Sequence, residues 1–280
     1  MSKIYTWAAI FLMVSQNAMA QDRRPGIPGE DAPGGQVVRI LSDDIEMHGV
    51  LYYPDEMSGQ LPGVVLVHGW SPDGVRAGEA FTYMAKEYAQ NGYVALGITL
   101  RGWPETGGTD DCGLNQPRDV VNAAEWLSEQ PGVNPEKIAL MGQSLGGQVV
   151  LSAAALSDLI KATASYFPIT DFRLWGVTTG QSQLMKDYYI YGMCTDDGTP
   201  EDRSPLYSSD EITGSVLLLH GDNDQNVVIT HSELMYQKML ESGQDVTLFT
   251  AIGGGHGPDG PGWENHKEVV YEFLREKIGK

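Results

Sequence analysis

The sequence predicts an α/β fold: a mostly parallel central sheet of about eight strands with helices on both faces. Two observations predict it. Short runs that are apolar throughout take turns with helical stretches along the chain, which is how strands read when crossover helices bury both faces of their sheet. The length of 280 residues suits one well-packed domain better than two small ones.

Residues 1–20, MSKIYTWAAIFLMVSQNAMA, carry one lysine, an apolar core from Trp7 to Val14 and the small-residue pattern Ala18-Met19-Ala20. This reads as a secretory signal peptide cleaved after Ala20, so a secreted or periplasmic protein is expected. The apolar run is shorter than the roughly 20 residues a membrane span needs, so no stable membrane insertion is expected. Residues 21–35, QDRRPGIPGEDAPGG, read as a flexible leader to a single domain over 36–280.

Gln36 to Leu41 and Ile45 to Tyr53 read as an opening antiparallel pair split by Ser42-Asp43-Asp44. Buried strands are expected at Gly63–Val67, Tyr93–Leu100, Lys137–Met141, Lys161–Phe167, Val216–Leu219 and Asp245–Ile252. Helices are expected at Gly78–Asn91, Pro117–Gln130, Leu145–Leu156, Ser232–Glu241 and Trp263–Ile278, the last with Val270, Phe273, Leu274 and Ile278 on one face. Residues 169–214 show no clear strand and carry Trp175, Tyr188, Tyr189, Tyr191 and Cys194. A gap of that length reads as a lid-like insertion.

The formal net charge of −19, or −20 without Lys3, opposes binding to nucleic acid or an anionic membrane. Cys112 and Cys194 lie in polar loops and are expected to pair in an oxidising compartment, tying lid to scaffold. They fit no zinc pattern, and neither a metal nor a cofactor is expected. Metal-dependent hydrolysis through Asp110, Asp111, Asp196 or Asp197 is a weaker alternative, since those pairs read as solvated loops.

Gly142-Gln143-Ser144-Leu145-Gly146 is a weak pattern in a chain with 34 glycines. Its context strengthens it: the pattern leaves a strand and enters an Ala-rich helix, the arrangement that exposes a serine nucleophile at the carboxyl edge of a sheet. A serine hydroxyl needs a histidine to take its proton and a carboxylate to orient that histidine. After Ser144, strand ends run into His220-Gly221-Asp222-Asn223-Asp224 and into Gly253-Gly254-Gly255-His256. His256 is the candidate base. His266 is placed on a solvated helix face by Glu264, Lys267 and Glu268, and His48, His68, His220 and His231 read as structural. Asp224, Asp222 and Asp171 are all candidates for the acid. Backbone N–H groups of Leu145 and Trp70 are the expected oxyanion donors. Trp103, Trp175 and Tyr188 are candidate pocket aromatics, with closure of the domain's own core as the other reading.

Val67-His68-Gly69-Trp70, Leu100-Arg101-Gly102, the Ser144 pattern, Ser204-Pro205-Leu206, His220-Gly221-Asp222-Asn223-Asp224 with Val227, and Gly255-His256-Gly257 together resemble the α/β-hydrolase superfamily. More narrowly, residues 45–278 are similar to the catalytic domain of the prolyl oligopeptidase family and to dienelactone-hydrolase-like proteins. The resemblance implies Asp224 as the acid. Two departures stand out: about 260 mature residues leave no room for the β-propeller of prolyl oligopeptidases, and Thr99 replaces an acidic residue common before the Arg-Gly pair. The reading is an exported serine hydrolase cleaving a carboxylic ester through an acyl-enzyme. The alternatives are a serine-type peptidase on small peptides and a non-catalytic binding protein on the same scaffold. The partner is a small ester or short peptide substrate.

Overall fold

The computed structural model describes residues 34–70, 77–190 and 198–279. The signal segment, almost all of the leader, Cys194, Asp196 and Asp197, and the side chains of Tyr188, Tyr189 and Tyr191, lie outside them.

One sheet of eight strands organises the chain. β1 (Gln36–Ser42) and β2 (Ile45–Tyr52) form the expected antiparallel hairpin, and β2 then pairs antiparallel with β4 (Val94–Ile98). β3 (Leu61–Val67), β4, β5 (Val133–Gln143), β6 (Ile160–Tyr166), β7 (Ser215–Gly221) and β8 (Val246–Ala251) run parallel. The spatial order is β1-β2-β4-β3-β5-β6-β7-β8. The chain goes out from β3 to β4 and returns to β5 on the other side of β3. That reversal opens a crevice beyond the carboxyl ends of β3 and β5, where open α/β sheets bind ligands.

Alternate residues face opposite layers. Val65, Val67, Leu96, Ile98, Leu140 and Leu218 share a core with α2 (Gln116–Ser128), α3 (Leu145–Leu156) and α6 (Thr230–Glu241). Val64, Leu66, Ala95, Ala139, Met141, Leu217 and Leu219 pack with α1 (Ala77–Gln90) and α7 (His266–Lys277). The predicted stripe of α7 is buried at Val270, Phe273 and Leu274, with Ile278 just beyond it.

The described part of the interval 169–214 carries α4 (Phe172–Thr178), α5 (Gln183–Ile190) and short 3₁₀ turns at Glu201–Arg203 and Pro205–Glu211. Its last part is docked onto the body. Gln148 on α3 donates to the Arg203 carbonyl at 2.8 Å, and Lys238 on α6 donates to that of Leu206 at 2.6 Å. Arg203 and Ile212 are buried.

Asp110 and Asp111 are engaged with the chain itself. Asp110 accepts from the Cys112 N–H and from Gln116, and Asp111 accepts from the Leu114 N–H and from Asn115. No cluster of His, Cys, Asp and Glu suited to a metal occurs among the described residues. Arg101, in the Leu-Arg-Gly turn, grips the fully buried Asp119 with two bonds of 2.6 and 2.7 Å, while Ser42 donates to the same carboxylate at 2.5 Å. Asp119→Ala strands the guanidinium in a largely buried site and is expected to lower the unfolding free energy by about 3–5 kcal/mol in urea titration.

Candidate active site

The sharp turn at Ser144 comes from backbone crowding. Ser144 has φ 56° and ψ −117°, a region that costs a non-glycine residue on the order of 1–3 kcal/mol. Its N–H is tied to the Tyr166 carbonyl at 2.9 Å. The flanking glycines leave no alternative: a Cβ on Gly142 would stand 2.2 Å from the Gly146 carbonyl oxygen, and one on Gly146 would stand 2.4 Å from the carbonyls of both Val67 and His68. The start of α3 is thereby pressed against the end of β3, and Ser144 stands at the crevice.

Two loops at neighbouring strand ends meet Ser144. The Ser144 hydroxyl donates to His256 Nε2 at 3.0 Å, and His256 Nδ1–H donates to Asp224 Oδ2 at 2.7 Å. The loops after β7 and β8 are joined by Asn223 N–H to the Gly254 carbonyl at 2.9 Å and Gly253 N–H to Asp222 at 2.6 Å. Asp222 therefore braces the turn and Asp224 reaches the histidine. Asp171 caps α4 through the N–H groups of Arg173 and Leu174. The ring of His256 rests on Phe167, centroids 4.6 Å apart.

Burial would push the Asp224 carboxyl up, but donors overcome it. His220 Nε2 lies 3.5 Å from Oδ2, His256 donates to the same oxygen, and the N–H groups of Asn226 and Val227 donate to Oδ1 at 2.8 and 2.9 Å. The carboxyl is held well below the usual carboxylate range, so it stays ionised beside His256.

The loop after β3 lies beside this relay. A Cβ on Gly69 would stand 2.9 Å from the Gln143 carbonyl oxygen and 3.3 Å from Ser144 Cβ. Neither the Trp70 nor the Leu145 N–H donates to a turn or loop acceptor among the described residues. Leu145 opens α3, whose positive end favours negative charge there. The relay has the groups that acyl transfer needs: a hydroxyl, a ring nitrogen able to take its proton and a carboxylate able to orient that ring.

Three expectations need correction. Trp103 and Trp175 are not presented to solvent as pocket walls. Both are buried in the core, Trp103 edge-on to His68 at 5.0 Å and Trp175 donating to the Asn226 carbonyl at 3.0 Å. A cavity of about 360 Å³ is lined by residues that include Tyr83, Gln143, Tyr166, Pro258 and Tyr271, and by none of Ser144, Asp224 and His256. His266 is not on a solvated face: it is half-buried, bonded to the Tyr166 hydroxyl at 2.9 Å, and burial lowers its pKa. Phe167 and His220 support the relay from behind; Phe167 carries no motif signal beyond standing at a strand end, whereas His220 opens the His-Gly-Asp-Asn-Asp run and reads only as structural.

Because the folded carboxyl of Asp224 is depressed, its stabilisation is fully present above about pH 4, the unfolded range, and is lost as pH falls through the folded value. Asp224→Asn is therefore expected to flatten the acid limb of a plot of urea midpoint against pH.

The fold matches solved α/β-hydrolase structures. A puromycin-hydrolyzing peptidase of Mycobacterium tuberculosis superposes with a TM-score of 0.76 at 22% identity, over 88% of this chain and 39% of that one. A thermophilic esterase of the Planctomycetes species Thermogutta terrifontis superposes with a TM-score of 0.66 at 20% identity, over 88% of this chain and 93% of that one. In sequence, the uncharacterized peptidase YtmA of Bacillus subtilis is 29% identical over 207 residues, covering 72% of this chain and 77% of its own. The family model described as prolyl oligopeptidase family matches residues 79–280, a span that contains Ser144, Asp224 and His256. The chain belongs to the prolyl oligopeptidase family and is one of its serine hydrolases.

Proposed function

We propose that this protein is exported and cleaves a small carboxylic ester through an acyl-enzyme intermediate, with Ser144 as nucleophile. The observation that carries the reading is the unbroken relay from Ser144 Oγ through His256 to Asp224, at 3.0 and 2.7 Å. Ser144 Oγ attacks the carbonyl carbon as His256 Nε2 takes its proton. The oxyanion that forms accepts hydrogen bonds from the Trp70 and Leu145 N–H groups. His256 then passes the proton to the leaving alkoxide and the acyl-enzyme remains. Water, deprotonated by the same nitrogen, releases the acid. Asp224 keeps Nδ1 protonated and stabilises the imidazolium without taking a proton. Every step uses the chain's own groups.

An ester is supported by the Thermogutta esterase, which this chain matches over nearly its whole length. Peptide hydrolysis is the second reading, and it is favoured by the names of YtmA and the mycobacterial enzyme. The relay fits either, since both bonds break through the same tetrahedral intermediate.

A fluorophosphonate probe is expected to label the wild type and not Ser144→Ala. Failure to label the wild type would turn the reading toward a non-catalytic scaffold. Asp224→Asn is expected to lower kcat by about 10⁴, and Asp222→Asn far less. In a panel of p-nitrophenyl esters beside aminoacyl and dipeptidyl p-nitroanilides, turnover of the esters alone supports the first reading, and turnover of the anilides establishes the second.

We also propose cleavage after Ala20 and a Cys112–Cys194 bond. Cys112 is fully buried in the loop after β4, and closing about 80 residues there would stabilise by about 4 kcal/mol in the chain-entropy model. A mass map of the unreduced, exported protein is expected to give an N-terminus at Gln21 and a peptide pair joined through these cysteines. Two free thiols would refute the bond.

A further inference from the structure

We propose that Trp175 is a positioning residue for the acid of the relay: its indole N–H, with the turn that follows α4, holds from behind the peptides whose N–H groups orient the Asp224 carboxylate. The inference rests on the serine-hydrolase reading above. It gives the interval 169–214 a part in the chemistry through a residue that touches no reacting atom.

The Asp224 carboxylate divides its oxygens between two tasks. Oδ2 accepts from His256 Nδ1 at 2.7 Å. Oδ1 accepts from the N–H groups of Asn226 and Val227 at 2.8 and 2.9 Å, which keeps Oδ2 turned toward the ring. Those N–H groups belong to the peptides 225–226 and 226–227. No cis peptide occurs among the described residues, and in a trans peptide the C=O points away from the N–H. The carbonyls of the same two peptides therefore face away from Asp224, and both are met by the chain around the end of α4. The Asn226 carbonyl accepts from Trp175 Nε1–H at 3.0 Å, and the Gln225 carbonyl accepts from the Gly180 N–H at 3.1 Å. Gln181 Nε2 adds a bond to Asn226 Oδ1 at 3.0 Å. Each peptide is thus bonded at both ends, to Asp224 in front and to the interval 169–214 behind. Hydrogen bonds in series polarise one another, so the donors on the carbonyls strengthen the N–H groups that Asp224 uses.

The local structure delivers that indole. Asp171 caps the start of α4, and the Thr179 N–H closes its last turn on the Trp175 carbonyl at 2.9 Å. Trp175 is 4% exposed and packs edge-on to Phe172, centroids 6.4 Å apart. At Gly180 the chain passes close to the acid loop: a Cβ there would stand 3.3 Å from the Gln225 carbonyl oxygen. Burial alone does not create such a bond, since the indole nitrogens of Trp103 and Trp263 are buried without a partner among the described residues.

Two replacements remove the donor. Trp175→Phe keeps an aromatic ring, and incorporation of 3-benzothienylalanine at position 175 keeps the bicyclic shape while sulfur replaces the N–H. For an ester that the wild type turns over, both are expected to lower kcat by about 3- to 10-fold, the size of one hydrogen bond, with KM changed little. The low-field proton resonance of His256 Nδ1–H reads the bond to Asp224 directly and should move upfield in both. A residue that served only as a pocket wall would raise KM and leave that resonance in place, and this result overturns the inference. An unchanged kcat overturns it too, as does a fall in kcat with an unmoved resonance in the benzothienyl protein. If Trp175→Phe does not fold, the benzothienyl protein alone decides. Turnover retained in Ser144→Ala would instead remove the nucleophile reading, while the resonance would still report whether Trp175 braces Asp224.

Discussion

The site depends on a contact between backbones. Where β5 ends, Ser144 is held in a left-handed conformation while the first turn of α3 lies against the carbonyls of Val67 and His68 at the end of β3. Nothing larger than hydrogen fits at Gly146, and Gly142 is closed by the Gly146 carbonyl. This crowding does three things together. It lifts the hydroxyl out of the sheet, brings the Leu145 N–H to the front of the helix, and seats the loop carrying Trp70 beside both. The strain at Ser144 persists because the surroundings over-determine it: the N–H on the Tyr166 carbonyl and the helix on the strand end each oppose relaxation.

The charges and rings around that turn illustrate how burial assigns roles to residues of one type. Asp224 is buried but ionised, because four donors face its two oxygens. Asp119 is buried too, and there burial dominates and raises the carboxyl despite the Arg101 fork. Among the histidines, His256 keeps 20% of its side chain exposed beside Ser144. His68 and His231 are buried and lowered to about 4, which leaves them neutral hydrogen-bonding parts near neutral pH. His220 bonds to Ser232 and to the Val227 carbonyl and braces the back of Asp224. The acidic surface sets the sign of the whole-molecule field, and the chemistry depends on these enclosed contacts.

Much of this was legible in the sequence because local pattern and topology coincide. Each of the eight strands has a counterpart in the sequence: the buried parallel strands as apolar runs, since a strand covered on both faces has few polar positions to blur it, and β1 and β2 as a pair split by Ser42-Asp43-Asp44. Ser144, Asp224 and His256 could be named because each stands where a strand ends, and parallel strands bring those ends to one edge. The choice of Asp224 over Asp222 needed a family resemblance, because two carboxylates two residues apart look alike until one is seen to bond to Gly253 and the other to His256. The aromatic residues misled for a similar reason. Trp103 and Trp175 lie in loops by sequence, yet the loop after β4 folds inward over Trp103 and Trp175 is on the buried side of α4. His266 follows charged neighbours, but as the first residue of α7 it turns toward Tyr166.

By itself the sequence determined the class of fold, the order of its strands along the chain and the residues able to attack, accept a proton and orient the base. These follow from period, turn chemistry and residue type, which act over a few neighbours. Only the tertiary structure decided the partners: which carboxylate meets His256, which rings line a cavity, and that an indole on α4 holds a peptide that faces Asp224. Those outcomes depend on distances between segments 30 to more than 100 residues apart. Such distances are set by how helices and sheet pack, and no local pattern in the chain encodes them.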